Sequence, residues 1–151
     1  MASRTFLLVE DNPADVELAR LAFQKSGLGV TIDHVSDGVE ALAYLLPPAN
    51  GGTAPGGTAT RALPLVVLLD LKLPRLSGIQ VLERLRSEPR TKLLPVVVLT
   101  SSSHPADVLS CYRLGCNSYV RKPVDFARFL EVVRQLGTYW LELNEPAEEL
   151  P

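Results

Sequence analysis

The chain is poor in three features that would each point to a function. It has two cysteines in 151 residues, and Cys111 and Cys116 lie five apart, a spacing that fits neither a paired-thiol redox motif nor half of a zinc site. Both read as reduced packing residues. It has no basic excess: 15 Lys and Arg stand against 17 Asp and Glu, a formal net charge of −2. The cationic footprint that phosphate-backbone binding requires is therefore missing. No apolar run approaches the roughly 20 residues of a membrane span, and residues 1–5 lack a basic region followed by an apolar one. The expectation is a cytoplasmic protein with no direct nucleic-acid or membrane role. The two histidines, His34 within a strand pattern and His104 before Pro105, lack companions for a metal site and read as structural or surface residues.

What is present suits one buried core. At 46% hydrophobic and 21% charged, the chain is too short for two ordinary domains. Apolar runs recur at 5–9, 30–35, 65–69, 95–100 and 118–120, each separated by a segment of helical period. The first helix has Asn12 as N-cap, Pro13 at its first position and Gly27 as its stop, with Val16, Ala19, Ala22 and Phe23 facing inward. The second runs from about Asp37 to before Pro47. The third follows Ser77 and Gly78, with Ile79, Leu82 and Leu85 on one face, and ends at Pro89. The fourth spans about 105–114, with Gly115 as its C-terminal signal. The fifth starts near Asp125, and its stripe of Phe126, Phe129, Leu130, Val133 and Leu136 is wide enough to continue through Gly137 toward Trp140 and Leu143.

Between the second helix and the third strand lies PPANGGTAPGGTATRALP, rich in Gly, Pro, Thr and Ala and bearing one charge, Arg61. It reads as a flexible excursion, about 47–64, with poor order around 51–57. The tail NEPAEELP reads as frayed. Alternation of strands and helices with short connections implies a parallel sheet wrapped by right-handed crossovers. Ligands of such sheets collect beyond the carboxyl ends of the strands.

Those ends carry a distinctive set. In VLLDLKLPRLSG, residues 67–78, a strand buried on both faces ends in a carboxylate, Asp70, which would be costly anywhere but the rim. Strand one ends in Glu10 and Asp11, strand four in Thr100 followed by Ser101, and strand five in Arg121 and Lys122 before Pro123. Like-charged carboxylates at 4 Å cost about 4 kcal/mol at an effective dielectric of 20. A hard divalent cation such as Mg²⁺ relieves that repulsion. The arrangement suits phosphoryl transfer. Asp70 is then the expected nucleophile, with Glu10, Asp11 and the Lys72 backbone carbonyl as expected metal ligands beside it. Lys122 and Thr100 are expected to bind phosphoryl oxygens. Singly, each residue has a plain structural role open to it: Glu10 and Asp11 favour a helix dipole, Thr100 is a β-branched strand residue, and Lys122 is a solvated charge. All four at matching strand ends are not easily coincidence.

On these residues the chain resembles a response-regulator receiver domain, from LLVEDNPADV through LLDLKLPRLSG and PVVVLTSSS to YVRKPV, with Asp70, Pro74 and Gly78 in the family's spacing. The resemblance implies a flavodoxin-like (βα)5 doubly wound parallel sheet of order 2-1-3-4-5, occupying 1–137. It implies a histidine kinase that phosphorylates Asp70 with Mg²⁺, and a switch in which Thr100 moves toward the phosphate and Tyr119 turns inward, Tyr119 as a packing aromatic being the plainer reading. It also implies a cis Lys122–Pro123 bond. Lys72 departs from the small polar residues frequent at that position, with a consequence for dephosphorylation or metal binding whose direction the sequence leaves open. The EDNPADVELA start, the excursion and the ending GTYWLELNEP are similar to the small single-domain regulators that partner bacterial phytochrome kinases. A red-light photoreceptor kinase is then expected, with a homodimer through the fourth and fifth helices. Phe126, Phe129, Val133, Tyr139, Trp140 and Leu143 would supply its surface, and 138–151 would be a dimerisation extension; packing of that tail within the protomer is the alternative.

No output domain is expected after the last helix, so the chain reads as a phosphorylation-switched binding module and not an enzyme, its only chemistry being on itself. Two other readings compete. An Asp-nucleophile phosphatase usually carries a second acid two residues after the nucleophile, where this chain has Lys72. A phosphate-independent interaction module would not need the intact acidic set.

Overall fold

The computed structural model describes residues 4–46 and 62–147. Within them five strands alternate with five helices: β1 (Thr5–Val9), α1 (Pro13–Ser26), β2 (Thr31–Val35), α2 (Gly38–Leu45), β3 (Val66–Leu69), α3 (Gly78–Ser87), β4 (Val96–Thr100), α4 (Pro105–Arg113), β5 (Ser118–Arg121) and α5 (Phe126–Thr138). A π-helical turn, Tyr139–Leu143, follows. The strands form one parallel sheet in the order β2-β1-β3-β4-β5, which is the flavodoxin-like order expected. The poor order expected at 51–57 falls outside the described residues, as do the last four residues of the tail.

Capping residues set the helix ends. The Asn12 side chain accepts from the Ala14 N–H at 2.9 Å and Pro13 opens α1. Gly27 closes that helix at φ 71°, where any side chain would be strained. Asp37 and Ser77 cap α2 and α3, the latter in a reciprocal capping box with Gln80. His104 caps α4, its Nδ1 accepting from the Ala106 N–H at 3.2 Å, and Asp125 caps α5. The Asn, Asp and Ser caps each contribute about 1 kcal/mol.

Because β1, β3 and β4 are covered on both sides, alternate residues enter two separate cores. Leu7, Val9, Val67, Leu69, Val96 and Val98 pack under α2, α3 and α4, while Phe6, Leu8, Val66, Leu68, Val97 and Leu99 pack under α1 and α5. Cys111 and Cys116 are buried in the first core as free thiols. Val81 joins Leu82 and Leu85 as a fully buried residue of α3, and Ile79 is half-buried beside them.

The wide stripe of α5 has an intramolecular cause. Phe129, Val133 and Trp140 are 7%, 0% and 6% exposed and belong to the second core, with Phe126, Leu130 and Leu136 packed against it. The helix covers α1 as well as the sheet, which demands a broader apolar face than a helix packing on one neighbour. Expected as dimer surface, Phe129, Val133 and Trp140 are instead spent on the protomer's own interior. The π-helical turn places Trp140 inward, while Tyr139 and Leu143 remain 47% and 69% exposed. The Lys122–Pro123 bond also departs from expectation: no described peptide bond is cis, so this bond keeps the trans form that Xaa-Pro bonds intrinsically prefer.

Candidate functional site

The ladder runs one step beyond the strands and fixes the backbones of the terminal residues. The Glu10 N–H donates to the Val35 carbonyl at 3.1 Å, Asp70 to Val9 at 3.1 Å and Lys122 to Thr100 at 2.7 Å. Side chains from β1, β3, β4 and β5 are thereby delivered to one rim. Behind Asp70 the turn is tight: the Gly78 N–H donates to the Leu71 carbonyl at 2.9 Å, and a Cβ on Gly78 would lie 2.2 Å from the Asp70 carbonyl oxygen. Only glycine fits there. Arg75, at φ 68°, reaches Asp37 in an ion pair of 3.2 Å that ties this loop to the start of α2.

Lys122 is the hub. Its ammonium lies 2.9 Å from Glu10 Oε2, 3.1 Å from Asp15 Oδ2 and 3.2 Å from Asp70 Oδ2. Glu10, Asp70 and Thr100 are buried at 3%, 8% and 0% exposure, and Asp11 is exposed beside them. The Lys72 side chain is exposed, but its N–H donates to Asp70 Oδ1 at 3.3 Å, holding the Lys72 backbone against the carboxylate. His34 also serves the site: its Nε2 lies 2.8 Å from the Glu10 carbonyl oxygen, which only accepts, so that nitrogen carries the hydrogen.

The electrostatics follow from this crowding. Burial first, then hydrogen bonding with Asp70, pushes the Glu10 carboxyl up to about 8. Burial also opposes ionisation of Asp70, but hydrogen bonding with Glu10, the Lys122 charge and hydrogen bonding with Thr100 outweigh it and hold Asp70 below the usual range. The two acids thus share one proton, kept by Glu10. Burial alone would lower Lys122; its hydrogen bond to Glu10 and the Asp70 charge raise it instead, so it is fully charged. Glu10, Asp11 and Asp70 bring carboxylate oxygens within 4.8 Å of one another. An all-oxygen set with one exposed member, crowded enough to retain a proton, fits a hard divalent cation, which would favour the ionised form of all three.

Tyr119 is half-buried and faces this end of the sheet. Its hydroxyl donates to the Ser102 carbonyl at 2.8 Å, the Ser102 N–H approaches Thr100 Oγ1 at 3.4 Å, and the Ser102 hydroxyl donates to Asp107 of α4 at 2.6 Å. The structure therefore brings Glu10, Asp11, Asp70, Thr100 and Lys122 together, with Tyr119 one residue away through Ser102. Sequence reasoning missed Asp15 and Ser102; neither carries a local signal, since an acid in the first turn of a helix is already accounted for by the helix dipole.

A family model for the response regulator receiver domain matches residues 6–134. The chain belongs to the response regulator receiver domain family. This receiver domain is 39% identical over 138 residues, 91% of this chain and 84% of the relative, to the probable methanogenesis regulatory protein FilR2 of Methanothrix harundinacea. Among solved structures it resembles the phosphorylated cyanobacterial phytochrome response regulator RcpA at a TM-score of 0.83 and 33% identity, covering 97% of this chain and 100% of that one. It resembles the bacteriophytochrome response regulator AtBRR at a TM-score of 0.69 and 42% identity, covering 96% and 100%. The receiver domain is thus homologous to phytochrome response regulators. Among the described residues no helix is long and apolar enough to cross a membrane.

Proposed function

We propose that this chain is the receiver domain of a response regulator acting in the cytoplasm, which accepts a phosphoryl group on Asp70 from a phytochrome-type histidine kinase. The observation that carries the reading is the ion pair between Lys122 and Asp70 at the strand ends, 3.2 Å long, beside the buried Thr100 hydroxyl. A carboxylate kept ionised next to a fixed ammonium is a ready nucleophile. A carboxylate oxygen of Asp70 forms the new bond to phosphorus as the N–P bond of phosphohistidine breaks, and the electron pair stays on the imidazole nitrogen. Glu10, Asp11, Asp70 and the Lys72 carbonyl would hold Mg²⁺, which supplies charge neutralisation for the equatorial oxygens. Lys122 and Thr100 hold those oxygens from the protein side.

The added charge of about −1.5 to −2 then biases the elements joined at Ser102, namely the end of β4, Tyr119 and the first turn of α4. The response is carried by protein contact at α4 and α5, not by turnover of a substrate or by nucleic-acid binding. Leu109 and Tyr112 on α4, with Tyr139 and Leu143 beyond α5, are 50%, 51%, 47% and 69% exposed, and they offer apolar surface for a homodimer. Similarity to RcpA and AtBRR supports the phytochrome partner.

Phosphotransfer from a panel of autophosphorylated histidine kinases of the source organism tests the reading. A phytochrome-type kinase is expected to label the wild type fastest, and Asp70→Asn is expected to take up nothing. Label retained by Asp70→Asn would remove Asp70 from its role.

A further inference from the structure

We propose that Asp15 is a positioning residue for Lys122: its carboxylate occupies one of the three ammonium hydrogens and yields it to an incoming phosphoryl oxygen. The inference rests on the reading of Asp70 as phosphoacceptor. A lysine ammonium has three donors, and all three are engaged, by Glu10 at 2.9 Å, Asp15 at 3.1 Å and Asp70 at 3.2 Å. None is left for a phosphoryl oxygen, so one of the three must let go.

Asp15 is the one that can. Glu10 and Asp70 are buried and belong to the carboxylate set within 4.8 Å that suits a cation; Asp15 lies outside that set. Its side chain is 36% exposed against 3% and 10% for the other two partners of Lys122, so it rehydrates at least cost. As the third residue of α1, after Asn12 and Pro13, a freed Asp15 is still favoured by the positive end of that helix. A cavity of about 60 Å³ touches both Asp15 and Lys122 and reaches Phe126 and Phe129. At about 30 Å³ per water, it has room for water to replace the broken contact.

Two consequences of opposite sign separate this role from a merely structural one. Removing the Asp15 charge takes away a competitor for Lys122 and lessens repulsion of an anionic donor, so phosphorylation at saturating Mg²⁺ is faster. The same removal withdraws negative charge from the vicinity of the carboxylate set, so Mg²⁺ binds more weakly.

The test uses the full chain with acetyl phosphate as donor at low ionic strength, and calorimetry for Mg²⁺ alone. In acetyl phosphate the bond between phosphorus and the acetyl oxygen breaks, acetate leaves with the electron pair, and Asp70 gains the phosphoryl group. Asp15→Asn is expected to raise the phosphorylation rate and to weaken Mg²⁺ binding, each by roughly two- to fivefold, the range of an exposed ion pair. Asp15→Glu keeps the charge and is expected to match the wild type on both. Wild-type values for Asp15→Asn, a fall in both properties together, or Asp15→Glu behaving like Asp15→Asn would each overturn the proposal. A wild type that takes no phosphoryl group would overturn the phosphoacceptor reading and this inference with it, a result distinct from failure of Asp15 alone.

Discussion

The Tyr119 hydroxyl and the Ser102 carbonyl are joined by a hydrogen bond of 2.8 Å, which fastens the last strand to the loop after Thr100. Ser102 also meets Thr100 and Asp107, so one residue connects the end of β4, the aromatic of β5 and the start of α4. A displacement at Thr100 cannot leave α4 untouched.

Tyr119→Phe deletes the donor and leaves the Ser102 carbonyl to solvent. A loss of about 0.5–1.5 kcal/mol is expected, read by urea denaturation. Backbone amides around residues 102–104 should exchange faster than in the wild type. Unchanged exchange there would show that the loop is held by Ser102 and Asp107 without the tyrosine.

Metal binding should be linked to a proton. Glu10 keeps its proton in the folded protein up to about pH 8 and loses it in the unfolded chain above the ordinary 4.5. Glu10 therefore contributes stability to the metal-free fold that is lost as pH rises from 4.5 to 8. Asp70, held below its ordinary 3.8, contributes stability that is lost only in acid. Because a cation needs the Glu10 carboxylate, Mg²⁺ binding at pH 7 is expected to release about one proton and to strengthen as pH rises toward 8. Calorimetry in buffers of different ionisation enthalpy measures this directly.

Gly78→Ala should be among the most damaging single-methyl additions. Its Cβ would meet the Asp70 carbonyl oxygen at 2.2 Å and Leu71 Cα at 2.7 Å, both backbone atoms that cannot step aside. A cost of about 1–3 kcal/mol or more is expected from overpacking, visible as a lowered thermal midpoint.

The residues of α5 and of the π-helical turn after it divide by burial. Phe129→Ala and Trp140→Ala each remove a ring that is 7% or 6% exposed and should cost about 3–5 kcal/mol, whatever the oligomeric state. Tyr139→Ser with Leu143→Ser, at 47% and 69% exposure, gives up the edge-to-face contact of Tyr139 with Trp140; it should cost about 0.5–1.5 kcal/mol, well below the buried pair, and shift sedimentation toward monomer. A shift caused by the buried pair at unchanged stability would contradict this division.

Much of the architecture was legible in the sequence because local and global preferences agree. Asn12-Pro13 and Gly27 bracket α1 as read, and Val16, Ala19, Ala22 and Phe23 are its buried face. Residues at strand ends were legible too, since a carboxylate closing an apolar run is affordable only where the run meets the rim. What escaped were relationships across the chain. Asp15 meets Lys122 over 107 positions, and Arg75 meets Asp37 over 38; neither partner marks the other in sequence. The apolar stripe of α5 was visible, but its destination was not, because a helix that packs on both a sheet and another helix shows the same excess as one awaiting a second copy.

The parallel pairing has a further effect on how the sheet finds its alignment. In a sheet with one wet face, a slip of one residue turns apolar side chains toward water. Here β3 and β4 are buried at every position and β1 at all but its first, so that penalty is absent. What opposes sliding is the change of residue at the tip: advancing β3 by one step would drag the Asp70 carboxylate in among valines and leucines. The acids at the rim therefore act as end-stops for assembly, a duty that Asn at position 70 could still perform and Leu could not.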